Sequence, residues 1–161
     1  MMWETLQPFV NWLGKSGLGQ WLGQSTVRIA WLFVMHLFGL ILLLGTTIVL
    51  SIRLLELGLL KQQLARLSRD LAIVRTAGLV LMLSSGALIF TGGAVSYFEG
   101  QWFRRKMVLL FIALIFNFTL FRKVTSAEEG HYSPLLNRIT GLLALLLWFS
   151  IGAAGRAIAF F

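Results

Sequence analysis

The sequence predicts an all-α integral membrane protein, a four-helix bundle forming a single domain over residues 1–161. Three observations carry that reading. Of the 161 residues, 58% are hydrophobic and only 12% are charged, whereas an ordinary soluble domain has about 25% charged residues. The charges are not spread evenly; they divide the chain into four apolar stretches. None of these stretches alternates apolar and polar residues with a period of two, so helices rather than barrel strands must satisfy the backbone inside lipid. The same composition excludes a soluble globular enzyme, a disulfide-rich secreted scaffold and a disordered tail. With no Cys, thiol catalysis, disulfides and Cys-bound zinc or iron–sulfur clusters are excluded as well.

Residues 1–24 read as an interfacial segment. Met2, Leu6, Phe9, Val10 and Leu13 share one helical face, and Trp3, Trp12 and Trp21 are amphipathic rings of the kind that settle at membrane interfaces. Gly14, Gly17 and Gly19 break this helix. No secretory signal peptide is expected, because the start lacks a basic run and the first long apolar run begins at Ile29. Arg28 and Arg53 enclose 24 uncharged residues, Arg75 and Glu99 enclose 23, Lys106 and Arg122 enclose 15, and Arg138 and Arg156 enclose 17. A span of the roughly 30 Å hydrocarbon layer needs about 20 helical residues. The spans therefore fall near 28–51, 74–97, 103–122 and 139–160, and the last two are long enough only if a flanking charge is drawn in. The first connection, with Leu57, Leu60, Leu64, Leu67 and Leu71 opposite Lys61, Gln62, Gln63, Arg66 and Arg69, reads as a basic amphipathic helix lying on an anionic surface.

Four spans put both termini and the middle connection on one side, with Lys15, Arg28, Arg104, Arg105, Lys106 and Arg156. The other side carries Arg53, Lys61, Arg66, Arg69, Arg75, Arg122, Lys123 and Arg138. The count of 8 against 6 favours a bacterial inner-membrane protein with the first and third connections cytoplasmic and both termini outside. The net charge of +8 sits at span ends and on the surface helix, with no nucleic-acid-binding motif, so the expected partner is the lipid bilayer and not nucleic acid. Other membrane subunits or a second copy of the chain are further candidate partners.

His36 is the one histidine within a span, about 12 Å along the helix from Arg28. An imidazole among Ile29, Leu32, Phe33, Leu40 and Leu43 needs a hydrogen-bond partner, a metal or a haem. Lys106 opens the third span on the same side of the membrane. It shares a face with Leu110, Ala113 and Asn117, a stripe expected to turn inward because lipid satisfies Asn117 poorly. Arg156 ends the fourth span on that side, and Glu99 lies near enough in the topology to pair with Arg156 or Arg105. Small residues Ser84, Ser85, Gly86, Gly92 and Gly93, with Gly152, Ala153, Ala154 and Gly155, allow close helix packing or room for a flat cofactor. Met35 beside His36 makes a soft Cu(I) site the alternative. Glu128, Glu129 and His131 lie in the third connection, on the far side from His36, and read as a solvated loop, which leaves no second histidine for a bis-histidine haem.

The stretches MHLFGLILLLG at 35–45, IRLLELGL at 52–59, SSGALIF at 84–90, FRRKMVLLFIALIFNFTLF at 103–121 and LLWFSIGAAGRAIAF at 146–160 carry a resemblance. In their order, nearly the whole chain resembles a family of bacterial four-helix membrane proteins classed only as a domain of unknown function. That family usually has an Asp before its Leu-Arg-Leu-Leu run, where this chain has Ser51-Ile52. The layout is more distantly similar to copper-resistance protein D (CopD) and to the membrane protoporphyrinogen oxidase HemJ. HemJ-like proteins carry a first-span histidine and a lysine opening the third span, both tied to haem b, and His36 and Lys106 match that layout. The Pro-Arg motif that follows the first-span glycine in HemJ is absent. The resemblance implies a b-type haem or similar redox cofactor held by His36, Lys106 and Arg156. The alternatives are copper passage at Met35 and His36, or a non-catalytic membrane subunit or assembly factor.

Overall fold

The computed structural model describes residues 2–158. Over those residues the chain is helical, with no strand. Two short helices lead in, α1 (Met2–Lys15) and α2 (Gly17–Gly23). The first span is α3 (Thr26–Leu54), and the short α4 (Leu64–Asp70) follows in the first connection. The second span is α5 (Ala72–Gly92), continued after a break by α6 (Ala94–Glu99). The third runs unbroken as α7 (Gln101–Phe116), a π-helical turn (Asn117–Phe121) and α8 (Arg122–Ser126), and the fourth is α9 (Pro134–Ala157). All four long helices are long and apolar enough to cross a membrane. The last two residues of the expected 139–160 span lie outside the described residues.

Capping sets several of the boundaries. The Ser16 hydroxyl accepts from the Gly19 amide at 3.1 Å, Ser25 from Arg28 at 3.4 Å and Ser133 from Leu136 at 3.3 Å. Each cap satisfies an amide that the first helical turn leaves unpaired, and Pro134 adds the fixed φ suited to a first helical position. The third and fourth helices gain their length by taking in charges, Lys106 at the start of the third and Arg156 at the end of the fourth as expected, with Arg138 also inside the fourth.

Two expectations are corrected. The basic helix of the first connection is confined to α4; Leu57 and Leu60 are 77% and 61% exposed and precede it in an irregular turn. Glu56 and Leu59 adopt positive φ there, 59° and 57°, which ends the helical register before the leucine repeat can continue. The second span ends at Gly92 rather than near 97, because Gly93 leaves the helical conformation, with φ −142° and ψ 36°, and redirects the chain into α6.

The apolar face of α1 is also divided. Val10 is buried and Leu13 packs beside it against Ala94 and Phe98, with Trp3 and Phe90 closing the cluster. Leu6, Phe9 and Trp12 face outward; the side chain of Met2 lies outside the described residues. The lead-in helix thus caps the end of the second span with one face and leaves the other exposed. The middle of the bundle is filled by Leu43, Leu79, Met82, Ala113, Trp148 and Ile151, and the far end by Leu50, Leu54, Leu64, Phe121, Val124 and Ala144.

The closest helix pair is α3 with α5. A Cβ on Gly39 would stand 2.6 Å from the Met82 nitrogen, and one on Gly78 would stand 2.8 Å from the Leu43 nitrogen. Two glycines therefore let backbone touch backbone, which supplies dispersion contact where lipid gives no hydrophobic drive.

Candidate functional site

His36 lies ten residues into α3, about 15 Å along its axis, on the face turned to α5. Its Nδ1 is 2.8 Å from the Met82 carbonyl oxygen. A carbonyl only accepts, so Nδ1 carries the proton and donates. The Ser85 hydroxyl is 3.3 Å from the same nitrogen and itself donates to the Leu81 carbonyl at 2.5 Å, leaving its lone pairs toward the imidazole. Gly86 makes this approach possible: a Cβ there would come within 3.0 Å of the His36 Cε1 and 3.2 Å of Nδ1. The Nδ1–Cε1 edge of the ring thus sits close against the bare backbone of α5. Its other nitrogen, Nε2, has no hydrogen-bond partner among the described residues, and with Nδ1 protonated it holds the lone pair.

Lys106 occupies a second glycine gap. A Cβ on Gly155 of α9 would lie 3.3 Å from the Lys106 Nζ and 3.5 Å from its Cε. Lys106 is half-buried and close enough to act electrostatically on His36. The stripe below it turns inward as expected, with Ala113 fully buried, Asn117 6% exposed and Leu110 packed on the central core. Phe103, one turn before Lys106, stacks on Phe90 of α5 with centroids 5.0 Å apart and planes 7° from parallel, which joins the third helix to the second on the side of the site away from that stripe.

The remaining expected residues are placed less centrally. Arg156 follows Gly155 and is exposed. Glu99 is exposed and makes no ion pair among the described residues, so the expected pairing with Arg156 or Arg105 is not formed. Arg105 instead lies over the Trp102 ring at 4.8 Å. Met35 is 47% exposed on the outer side of α3, a helical step of about 100° away from His36. His131 sits at the opposite end of the bundle, edge-on to Tyr132 at 4.6 Å. No group of three metal-ligating side chains occurs among the described residues.

Sequence reasoning named Gly86 and Gly155 only as members of small-residue runs, and missed Gly78 and the Met82 carbonyl. A backbone acceptor has no signature in side-chain identity. Gly78 stands alone in its stretch, and its partner Gly39 lies on another span.

Neither the curated proteins nor the solved structures contain a match to the chain. A family model does match, the family of unknown function DUF6644, and because the match takes in residues 9–161, nearly the whole chain, the protein belongs to that family.

Proposed function

We propose that the protein is an inner-membrane haem-binding protein in which the His36 imidazole would hold a b-type haem. The observation that carries this reading is the hydrogen bond from His36 Nδ1 to the Met82 carbonyl. A backbone acceptor on one ring nitrogen is the usual way a ligating histidine is oriented, because it leaves the lone pair on the other nitrogen and raises its basicity. The residues present fit a haem by their chemistry. His36 supplies an imidazole nitrogen, the Gly86 gap lets that ring lie close to α5, and Lys106 and Arg156 are cations on the same side of the bundle for carboxylate groups. A bound haem would supply one-electron redox chemistry. The chain's own part is to hold the imidazole in one tautomer, to keep a cation beside it, and to exclude water with the Phe90–Phe103 stack and the central core. The layout of a first-span histidine and a lysine opening the third span, which in the sequence resembles that of HemJ-like proteins, is consistent with this reading. The charge count supports termini on the outer face of the membrane.

The test is a reduced-minus-oxidised visible spectrum of purified protein expressed with ample haem, beside His36→Ala and His36→Gln. A Soret and α band present in the wild type and lost in both variants is the expected result. No band in the wild type, or an unchanged band in both variants, refutes the proposal. A metal-dependent signal without a Soret band would move the assignment to copper at His36.

A further inference from the structure

The first connection divides its leucines between two environments. Leu64, Leu67 and Leu71 of α4 pack on the far-end core with Phe121 and Val124, so the apolar face of that helix is used inside the bundle. Leu57, Leu59 and Leu60, in the turn before α4, are 77%, 45% and 61% exposed. Water disfavours large apolar side chains grouped so closely, and an exposed group of this kind marks a contact surface.

The turn is not a loose loop. The Glu56 amide donates to the Arg53 carbonyl at 3.2 Å and the Leu57 amide to the Ile52 carbonyl at 3.1 Å, the paired bonds of a Schellman end to α3. Glu56 occupies the left-handed position that such an end usually gives to glycine. The residue that follows commonly packs back on the helix, here on Ile52, yet Leu57 stands out from it. The Gln62 amide then donates to the Leu59 carbonyl at 2.9 Å, closing a second tight turn with Leu60 and Lys61 at its tip. Both ends are tied to other elements: Arg53 Nε donates to the Gln62 carbonyl at 2.8 Å, and Glu56 holds Arg138 of α9 at 2.5 Å. Residues with a Cβ rarely adopt a φ near +60°, and this segment holds Glu56 and Leu59 there. Its hydrogen bonds thus fix a shape that keeps the leucines outward, and strain kept in this way marks a segment with a task.

The position of the turn identifies what covers the leucines. α3, long and apolar enough to cross a membrane, ends at Leu54, so the turn begins where a span meets the headgroup layer. Lys61 adjoins Leu60, and Arg66 and Arg69 follow on the exposed side of α4; none of the three forms an ion pair among the described residues. Apolar side chains flanked by free cations suit an anionic bilayer surface, with the apolar groups in the acyl boundary and the cations at the phosphates.

We propose that the turn 56–61 is a lipid anchor: Leu57, Leu59 and Leu60 enter the acyl boundary of the leaflet that faces the first connection, and Lys61 stays at the phosphates of anionic headgroups. The anchor is independent of His36 and of the haem reading.

The chain has no Cys, so a single introduced Cys carries a nitroxide label alone. Leu57→Cys and Leu60→Cys are read in the full chain, in vesicles of phosphatidylcholine with phosphatidylglycerol. Ser84→Cys, exposed on the second span, is the lipid reference, and Glu128→Cys, exposed in the third connection, is the water reference. Collisions of the label with oxygen, which concentrates in hydrocarbon, should exceed those with a water-soluble nickel chelate at 57 and 60, as at 84, and the order should reverse at 128. Nickel collisions dominating at 57 and 60 overturn the anchor. So does an immobilised label shielded from both reagents, which would mean that a second copy or another protein covers the leucines. A lipid-like reading at 128 as well would immerse the whole end of the bundle and overturn the turn as a distinct anchor. Lys61→Glu, with the label at 60, should raise nickel collisions when phosphatidylglycerol is present and not in phosphatidylcholine alone; no rise in the first overturns the role given to Lys61. Both labelled leucines are exposed, so their replacement leaves the fold intact.

Discussion

Replacing Gly39 by Ala probes the joint on which the His36 site is built. The added Cβ would meet the Met82 nitrogen at 2.6 Å, the Gly78 oxygen at 2.9 Å and the Met82 Cα at 3.0 Å. All three are backbone atoms, so no side-chain rotation relieves the clash. Ordinary contact begins near 3.4 Å, and α3 and α5 must part by about 1 Å at this level. Overpacking of this kind costs about 1–3 kcal/mol. Ala also favours a helix over Gly by about 1 kcal/mol, which would mask part of the loss. Gly45→Ala on the same helix removes that ambiguity, because nothing lies within 4 Å of a Cβ there and the propensity gain is shared. The difference between the two variants is then the packing cost, about 1–3 kcal/mol with Gly39→Ala the less stable. Reversible unfolding in mixed micelles, followed by far-ultraviolet circular dichroism, measures it. A second consequence is specific to the site: the residue pushed by Gly39→Ala is Met82, whose carbonyl accepts from His36. If Gly39→Ala is as stable as Gly45→Ala, the two backbones are not in contact and the reasoning about the site's foundation fails.

Three further outcomes are expected. Leu59 has a φ of 57°, a region that costs a side chain bearing Cβ about 1–2 kcal/mol, so Leu59→Gly should raise the unfolding free energy by about 1 kcal/mol; a drop in stability would show that the leucine's contacts outweigh its backbone conformation. Glu129 pairs with Arg53 while its own side chain is 55% exposed, so Glu129→Gln should cost less than about 1 kcal/mol and the effect should fade in high salt; a larger, salt-insensitive loss would mean the pair organises the third connection. Burial pushes the Tyr97 phenol above its ordinary value of 10.0, which means the fold disfavours the ionised form. The stability Tyr97 contributes is thus complete below that ordinary value and is lost as the pH rises through the raised one. Ultraviolet titration of the phenolate beside Tyr97→Phe should place the Tyr97 midpoint above 10.0, and a midpoint at or below 10.0 contradicts its burial.

The number of spans and their approximate places were legible in the sequence by itself, because a charge inside hydrocarbon costs far more than any competing local preference. Arg28, Arg53, Arg75, Lys106, Arg122 and Arg138 act as punctuation that no tertiary contact needs to supply. The inward stripe of Lys106, Ala113 and Asn117 was legible for the same reason, since helical spacing and the cost of a polar amide in lipid depend only on the chain's own geometry. The leucine repeat of the first connection misled because its period was helical while Glu56 and Leu59 turn the backbone out of register, and neither residue type announces a positive φ. What only the tertiary structure decided was which helices touch and at what rotation. The hydrogen bond from His36 to the Met82 carbonyl, the backbone contact of Gly39 with Gly78, and the approach of Arg75 to Phe121 each join residues dozens of positions apart. Apolar helices of similar composition can pair in many ways, and the choice among them falls to small steric fits and single buried polar partners. Those depend on relative placement in space, a quantity that composition and spacing along one chain do not contain.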